Sequence, residues 1–410
     1  MEILNYILDM GGSVVMPIII TIIGLIFGQK FSKAFRSGMT IGIGLIGINL
    51  ITGLMGDYVS PAAQAMVERF GINLSVVDVG WPVSSAIAFA TTIVPWVFVT
   101  CFVLNIIMLA THTTKTLNID IWNYWHFILT GSLVQTATGS LILGIIASGL
   151  TFIIVMKFAD YSAPRVQEYF GLPNVSTPHT ETLCILLDKI YDKIPGFNKI
   201  KFDGDTIQEK LGFLGDPIVL GLILGAFIGL LAGYEPNALI TLAVQMSAVM
   251  FLLPRMVKIL MEGLMPLSED AKKFMAKRFP GKEVYIGMDA AIATGSPMVV
   301  SAALLMIPIT LLLAVALPGN KLLPLVDLST LPFFMIWPVV ASRGNLLRAI
   351  ITGCLMMTAI LYIGTDLAGT ATAVAQATNF AFPEGATAIS SLDIGAHLVP
   401  YIIYKILALF

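Results

Sequence analysis

The sequence predicts an all-α polytopic membrane protein with about eleven membrane elements, arranged as two halves of five with broken or re-entrant helices, plus a final helix. Three observations predict it. The chain of 410 residues is 57% hydrophobic and only 12% charged, with a mean hydropathy of +0.89; a soluble domain carries roughly 25% charge. Apolar runs of roughly twenty residues recur along the whole length, and the short alternating segments of a β-barrel do not. The basic residues, finally, crowd into some connecting segments and avoid others, which fixes an orientation in the bilayer.

Taken in order, Val14 to Phe27 is the first apolar span, and with no cleavable leader apparent it is expected to direct its own insertion. Lys30, Lys33 and Arg36 follow. Met39 to Met55 is the second span, and Gly38, Gly42, Gly44 and Gly47 let another helix approach it closely. Asp57 to Phe70 reads as an amphipathic link. Val77-Asp78-Val79-Gly80-Trp81-Pro82 breaks the pattern, because glycine and proline interrupt a helix there. Ile87 to Leu109 spans, and Lys115 marks its end. Trp122 to Met156 is too long for one typical span and too short for two. Thr138-Gly139-Ser140 is its natural hinge, giving a short or re-entrant piece to Ala137 and a span from Leu141 to Met156.

Lys157 to Asp216 is the most charged part and links the halves. Pro217 to Ala232 spans, Tyr234-Glu235-Pro236-Asn237 turns, and Leu239 to Leu253 returns. Pro266 to Lys282 is a second amphipathic piece. The run Tyr285 to Pro297 is a second break, with Asp289 as its only charge. Met298 to Leu317 spans, and Leu322 to Val340, holding Pro324, Pro332, Pro338 and Asp327, is another broken element. Leu346 to Ile363 spans, Asp366 to Ser391 is an Ala/Thr/Gly-rich link, and His397 to Phe410 is the last span.

The second half repeats the plan of the first. Arg69-Phe70-Gly71 leads to Asp78 as Arg278-Phe279-Pro280-Gly281 leads to Asp289, and a proline and a long apolar segment follow each aspartate. Basic residues cluster at 30–36, 157–210, 255–282 and 343–348. The positive-inside rule then places the N-terminus outside and the C-terminus in the cytoplasm. The Asp78 break enters from outside and the Asp289 break from inside, so the halves are oppositely inserted. The expected divisions are 1–157 for the first half, 158–216 for the cytoplasmic-side link, 217–365 for the second half and 366–410 for an external link with the last helix. Paired interrupted segments in corresponding halves point to a transporter's binding site.

A carboxylate beside broken backbone at membrane depth is tolerated where it lines a cavity. An uncharged polyol needs carboxylates, amides and imidazoles for its hydroxyls, and an aromatic face for its C–H side. The candidates lie in four broken places: Asp289 with Thr294 and Ser296; Asp78 with Trp81; Asn123, Trp125, His126 and Gln135; and Thr177 with His179. Each has a plainer alternative. Asp78 and Asp289 could cap the helices that follow, the Trp122-to-Trp125 cluster could be an interfacial aromatic belt, and His179 could be an ordinary loop residue. Asp327 and Asp366 read as caps or surface groups, and His112 and His397, at helix ends, as structural. Cys101, Cys184 and Cys354 have no metal spacing, and neither a phosphate-cradling loop nor a metalloprotease motif occurs. No cofactor, metal or nucleic-acid partner is expected, nor a catalytic set of the chain's own. An ion-coupled symporter of polyols is the competing class, with Asp78 and Asp289 as its supporting features.

Several motifs resemble the galactitol-type membrane subunit, IIC, of the bacterial phosphotransferase system. They are Val77 to Pro82; Asp120-Ile121-Trp122-Asn123 with Trp125-His126; Thr130-Gly131; Ala137-Thr138-Gly139-Ser140; Ile194-Pro195-Gly196; Lys201-Phe202; Pro318-Gly319-Asn320; and Arg343-Gly344-Asn345-Leu346. The likeness covers nearly the whole chain and extends, more distantly, to ascorbate-type subunits. It implies an inner-membrane homodimer whose mobile core carries the sugar elevator-fashion, with cytosolic IIA and IIB proteins passing a phosphoryl group to the sugar. In the ascorbate-type relatives an aspartate in the second break and a histidine after the central link contact substrate, and Asp289 and His179 occupy those places. The galactitol pattern has a proline after the aspartate and a histidine near the place of Ser296; this chain has Ala290 and Ser296.

Overall fold

The computed structural model describes residues 12–71, 74–120, 124–194, 216–278, 283–378, 380 and 387–409. Helix α1 (Gly12–Ile26) turns at Gly28 into α2 (Phe31–Phe70). Strand β1 (Val76–Asp78) leads to α3 (Gly80–Phe89) and, across a 91° bend, to α4 (Val94–Ala110). Next come β2 (Thr116–Asn118), α5 (Trp125–Thr138) and α6 (Leu141–Phe170). Strand β3 (Val175–Ser176), a 3₁₀ turn (Thr180–Cys184) and α7 (Ile185–Tyr191) follow. The order then recurs. Helices α8 (Pro217–Ala232) and α9 (Pro236–Arg278) precede β4 (Tyr285–Gly287), a 3₁₀ turn (Ala290–Ala293) and α10 (Pro297–Ala316). Then come β5 (Leu322–Leu323), a 3₁₀ turn (Asp327–Thr330), α11 (Leu331–Ala341) and α12 (Leu346–Ala377), and last β6 (Ile389–Ser390), α13 (Leu392–Gly395) and α14 (Leu398–Leu407).

The chain is mostly helical, and among the described residues α6, α10 and α12 are long and apolar enough to cross a bilayer. Several sequence expectations need correction, among them the Ile87–Leu109 span, which is divided between α3 and α4, and the Leu141–Met156 span, which runs on to Phe170. The fold is not all-α, because six short strands form two three-stranded parallel sheets. The expected second span and the link to Phe70 are one 40-residue helix, α2, with Pro61 inside it; likewise α9 joins the expected Leu239–Leu253 span to the amphipathic piece beyond Pro266. At 1.5 Å per residue each is about 60 Å long, twice a hydrocarbon core, so each carries its amphipathic end beyond the apolar part. Finally, α12 runs on through the Ala/Thr/Gly-rich stretch to Ala377. The Gly139 hinge is present: Gly139 is left-handed, and Ser140 caps α6 by accepting from Leu143 N–H.

The small residues of α2 serve close packing. A Cβ at Gly38 would lie 2.4 Å from the Pro17 carbonyl of α1, and one at Gly47 would lie 2.4 Å from Met256 Sδ of α9.

The two sheets have matched topology. Sheet one is ordered β5-β1-β6 and sheet two β2-β4-β3. Val77 aligns with Leu323 on one side and Ile389 on the other; Ile286 aligns with Leu117 and Val175. Exchanging β1, β2, β3 for β4, β5, β6 turns one sheet into the other. Each half thus places its leading strand between two strands of the opposite half, and the sheets lock the halves together. Side-chain amides brace both. Asn105 Nδ2 donates to the Thr116 carbonyl and its Oδ1 accepts from Asn118 N–H, both at 3.0 Å. Asn320 Nδ2 donates to the Leu322 carbonyl at 2.9 Å.

Candidate functional site

All six strands deliver their chain ends to one cavity. Beyond β1 stands Trp81; beyond β4, Asp289 and Ala290. Beyond β2 come Trp125 and His126 of α5, and beyond β5 Thr330 with Phe333 and Phe334 of α11. Beyond β3 lie His179 and Glu181, and beyond β6 Asp393. They enclose about 60 Å³, room for a few water-sized groups.

Three of the chain's four histidines meet here. The His126 ring lies 4.7 Å from that of His179 and 4.5 Å from that of His397. Indoles wall them in: Trp125 lies 4.3 Å from His126, and Trp337 lies 5.8 Å from His179. His179 Nδ1 is bonded to Glu181 Oε2, which also accepts from Thr180 Oγ1 at 2.9 Å. Asp393 Oδ2 lies 3.8 Å from His126 Nε2 and 3.4 Å from His397 Nε2. Asp289 Oδ1 accepts from Ala291 N–H at 2.8 Å, which turns the chain into its 3₁₀ turn while the residue stays part-exposed at the cavity.

Glu181 Oε1, Asp393 Oδ2 and His397 Nε2 are buried without a hydrogen-bond partner within the protein. Such a group costs about 1–3 kcal/mol unless something supplies the bond. Glu181 and Asp393 line the cavity, where a ligand carrying several hydroxyls supplies it. The chemistry on offer is therefore recognition: acceptors and imidazoles for hydroxyls, indole and phenyl faces for carbon. His126, Asp393 and His397 also bring ligand-type atoms within 4.8 Å of one another. Asp393 and His126 face the cavity as hydrogen-bonding groups, and no metal is assigned to them.

Of the residues singled out in the sequence, Asp289, His179, His126, Trp81 and Trp125 come together. Asp78 does not. Its Oδ1 accepts from Gly80 N–H and its Oδ2 from Val326 and Asp327 N–H, all at 2.9 Å. Asp327 returns the favour, accepting from Trp81 N–H at 2.8 Å and Asp393 N–H at 3.2 Å. The capping alternative describes both aspartates. Gly80 has φ +76°, and a Cβ there would lie 2.6 Å from Val326, so the cross-brace requires glycine. Gln135 lies on α5 nine residues beyond His126, about 14 Å along the axis, and does not line the cavity. Ser296 stands at the N-cap of α10 without bonding it, and Thr177 is buried two residues before His179; neither lines the cavity. Asn123 lies outside the described residues.

Glu181, Asp393 and the Phe333-Phe334 wall went unread in the sequence, and His397, read as structural, joins the cluster. The signals were present. Glu181 follows His179 by two residues, and Asp393 and His397 stand four apart, one helical turn, in an otherwise apolar stretch.

Comparison with known proteins completes the description. A family model described as "PTS system sugar-specific permease component" matches residues 6–385. The chain is 42% identical over 396 residues to a "Putative permease IIC component" of Escherichia coli K12, covering 95% of this chain and 91% of that protein. It is 40% identical over 410 residues to the "PTS system galactitol-specific EIIC component" of the same organism, covering 99% of this chain and 90% of that one. The galactitol-specific component of Escherichia coli O157:H7 matches to the same extent.

Proposed function

We propose, on the premise that this chain belongs to the galactitol-type sugar-specific permease components of the phosphotransferase system, that it takes up galactitol or a closely similar sugar alcohol. IIB phosphorylates the polyol while it is held in the cavity. The observation that carries the reading is the convergence of all six strand ends on a site rich in imidazole, carboxylate and indole, with unpartnered buried acceptors. A neutral polyhydroxy ligand satisfies those acceptors; an apolar or anionic one does not.

Three carboxylates, Asp289, Glu181 and Asp393, face the cavity. Phosphorylation adds about two negative charges to the sugar, and the product is repelled by the groups that held the substrate. Uptake then needs no ion gradient. The proposed assembly is an inner-membrane homodimer with its N-terminus outside, its C-terminus in the cytoplasm, and a core that moves elevator-fashion between the two sides. The exchangeable sheets support two oppositely inserted halves, because a pseudo-twofold axis lying in the bilayer plane would relate them. The departures at Ala290 and Ser296 leave the choice among hexitols to experiment.

Inside-out and right-side-out vesicles test the reading. Vesicles with this chain alone should bind galactitol without accumulating it. Adding phosphorylated IIB should yield galactitol phosphate on the IIB side. Accumulation of free polyol driven by a proton or sodium gradient, with no IIB present, would refute the reading.

A further inference from the structure

A line of five side chains runs behind the cavity and ties the C-terminal helices to the segment that carries His179. Asp393 Oδ2 lies 3.4 Å from His397 Nε2. His397 Nδ1 lies 2.6 Å from Thr180 Oγ1, and Thr180 Oγ1 donates to Glu181 Oε2 at 2.9 Å. Glu181 Oε2 in turn holds His179 Nδ1.

Proton counting gives the line a direction. Thr180 has one hydroxyl proton, and the Glu181 carboxylate takes it. The Thr180 oxygen therefore accepts from His397, whose Nδ1 carries the hydrogen. Glu181 accepts likewise from His179 Nδ1–H, and in the neutral form of that ring Nε2 keeps its lone pair. The Glu181 and His397 side chains are each only 2% exposed, so bulk water does not compete for these bonds. Neither Thr180 nor His397 lines the cavity.

We propose that Thr180 and His397 are positioning residues for phosphoryl transfer. They fix the Glu181 carboxylate and, through it, the ring of His179, whose Nε2 accepts the proton of the polyol hydroxyl that is phosphorylated. This rests on the reading of the chain as a phosphotransferase permease component. In the step, the hydroxyl oxygen forms a bond to the phosphorus carried by IIB. The bond from phosphorus to the IIB side chain breaks and its electron pair stays with IIB. The hydroxyl proton passes to His179 Nε2. The line places that base without touching the reacting atoms.

Thr180→Val keeps the side chain's size and removes the hydroxyl, and Thr180→Ser restores it. Each variant, in lipid nanodiscs, is assayed for galactitol affinity by calorimetry and for initial phosphorylation rate with phosphorylated IIB. For the valine variant the affinity should stay within about twofold while the rate falls about 10–100-fold, since general-base catalysis is worth about 10²–10⁴ and only its alignment is lost. The serine variant should recover most of the rate. A wild-type rate in Thr180→Val overturns the proposal. So does a parallel loss of affinity and rate that serine does not rescue, which is the signature of a merely structural cluster. A second measurement uses no substrate: ¹⁵N spectra of histidine-labelled protein should show His179 protonated at Nδ1 and not at Nε2, with its signals displaced in Thr180→Val. Unchanged His179 signals overturn the relay. Signals displaced in Thr180→Val, together with a wild-type protein that neither binds nor phosphorylates any hexitol, sink the transport reading and with it the relay's part in phosphoryl transfer.

Discussion

Asp78 and Asp289 follow matched strands in matched sheets, yet their carboxylates do opposite things. Asp78 is 5% exposed and accepts three backbone N–H bonds, two of them from Val326 and Asp327 in the other half of the chain. Asp289 accepts from Ala291 N–H and stands at the cavity. The difference lies in the partner segment. Beyond β5 the chain turns back at once into a 3₁₀ turn whose open N–H groups reach Asp78. Asp78 is thereby consumed in joining the halves. The same sheet geometry thus yields a rivet on one side and a ligand-facing group on the other. Asp289 also caps a 3₁₀ turn, but it stays part-exposed at the cavity, and that exposure separates it from Asp78.

The contrast can be broken or sharpened by substitution, from the largest expected effect to the smallest. Asp78→Ala orphans two buried N–H groups and a third, part-buried one, and at about 1–3 kcal/mol for each buried group it should cost more than about 2 kcal/mol of stability, read as a large drop in melting temperature and monodisperse yield. A stable Asp78→Ala protein that has lost polyol binding would reverse the assignment. Asp289→Asn keeps an oxygen for Ala291 N–H and should insert and melt normally. Its galactitol affinity should fall about 10²-fold or more, because two hydroxyl bonds to a charged acceptor are worth about 1.5–3 kcal/mol each; unchanged affinity in direct binding would remove Asp289 from the site. Asp393→Asn should weaken binding about tenfold, one such bond, measured by the same titration. Ser296→Ala and Gln135→Ala should each shift binding and stability by less than about 0.5 kcal/mol, and a larger loss of affinity in either would extend the site beyond the cavity described.

Much of this was legible in the sequence, for physical reasons. Composition and span length gave a helical membrane protein. The recurrence of Arg-Phe, aspartate and proline drew attention to Trp81 and Asp289, and the polar residues of the other broken stretches to His126 and His179. The strands were invisible, since Thr116-Leu117-Asn118 or Val175-Ser176 is too short to show alternation and takes its structure from partners far along the chain. The polar residues from Asp57 on suggested that a span had ended, yet α2 continues through them to Phe70, and Arg69 near its far end donates to the Leu230 and Leu231 carbonyls of α8. Glu181 and Asp393 went unread, because what makes them a site is tertiary. One stands beside His179, the other a helical turn before His397, and the two meet only when β3 and β6 are each paired.

The central claim is that the polyol sits where the six strand ends converge. A cryo-EM structure of the protein with galactitol tests it most directly. The account predicts ligand density within hydrogen-bond distance of Asp289 and Glu181, flanked by the His126 and His179 rings, with the Asp78 cross-brace unchanged. Density bonded to Asp78 or Gln135 instead, with that cavity left free, would contradict it.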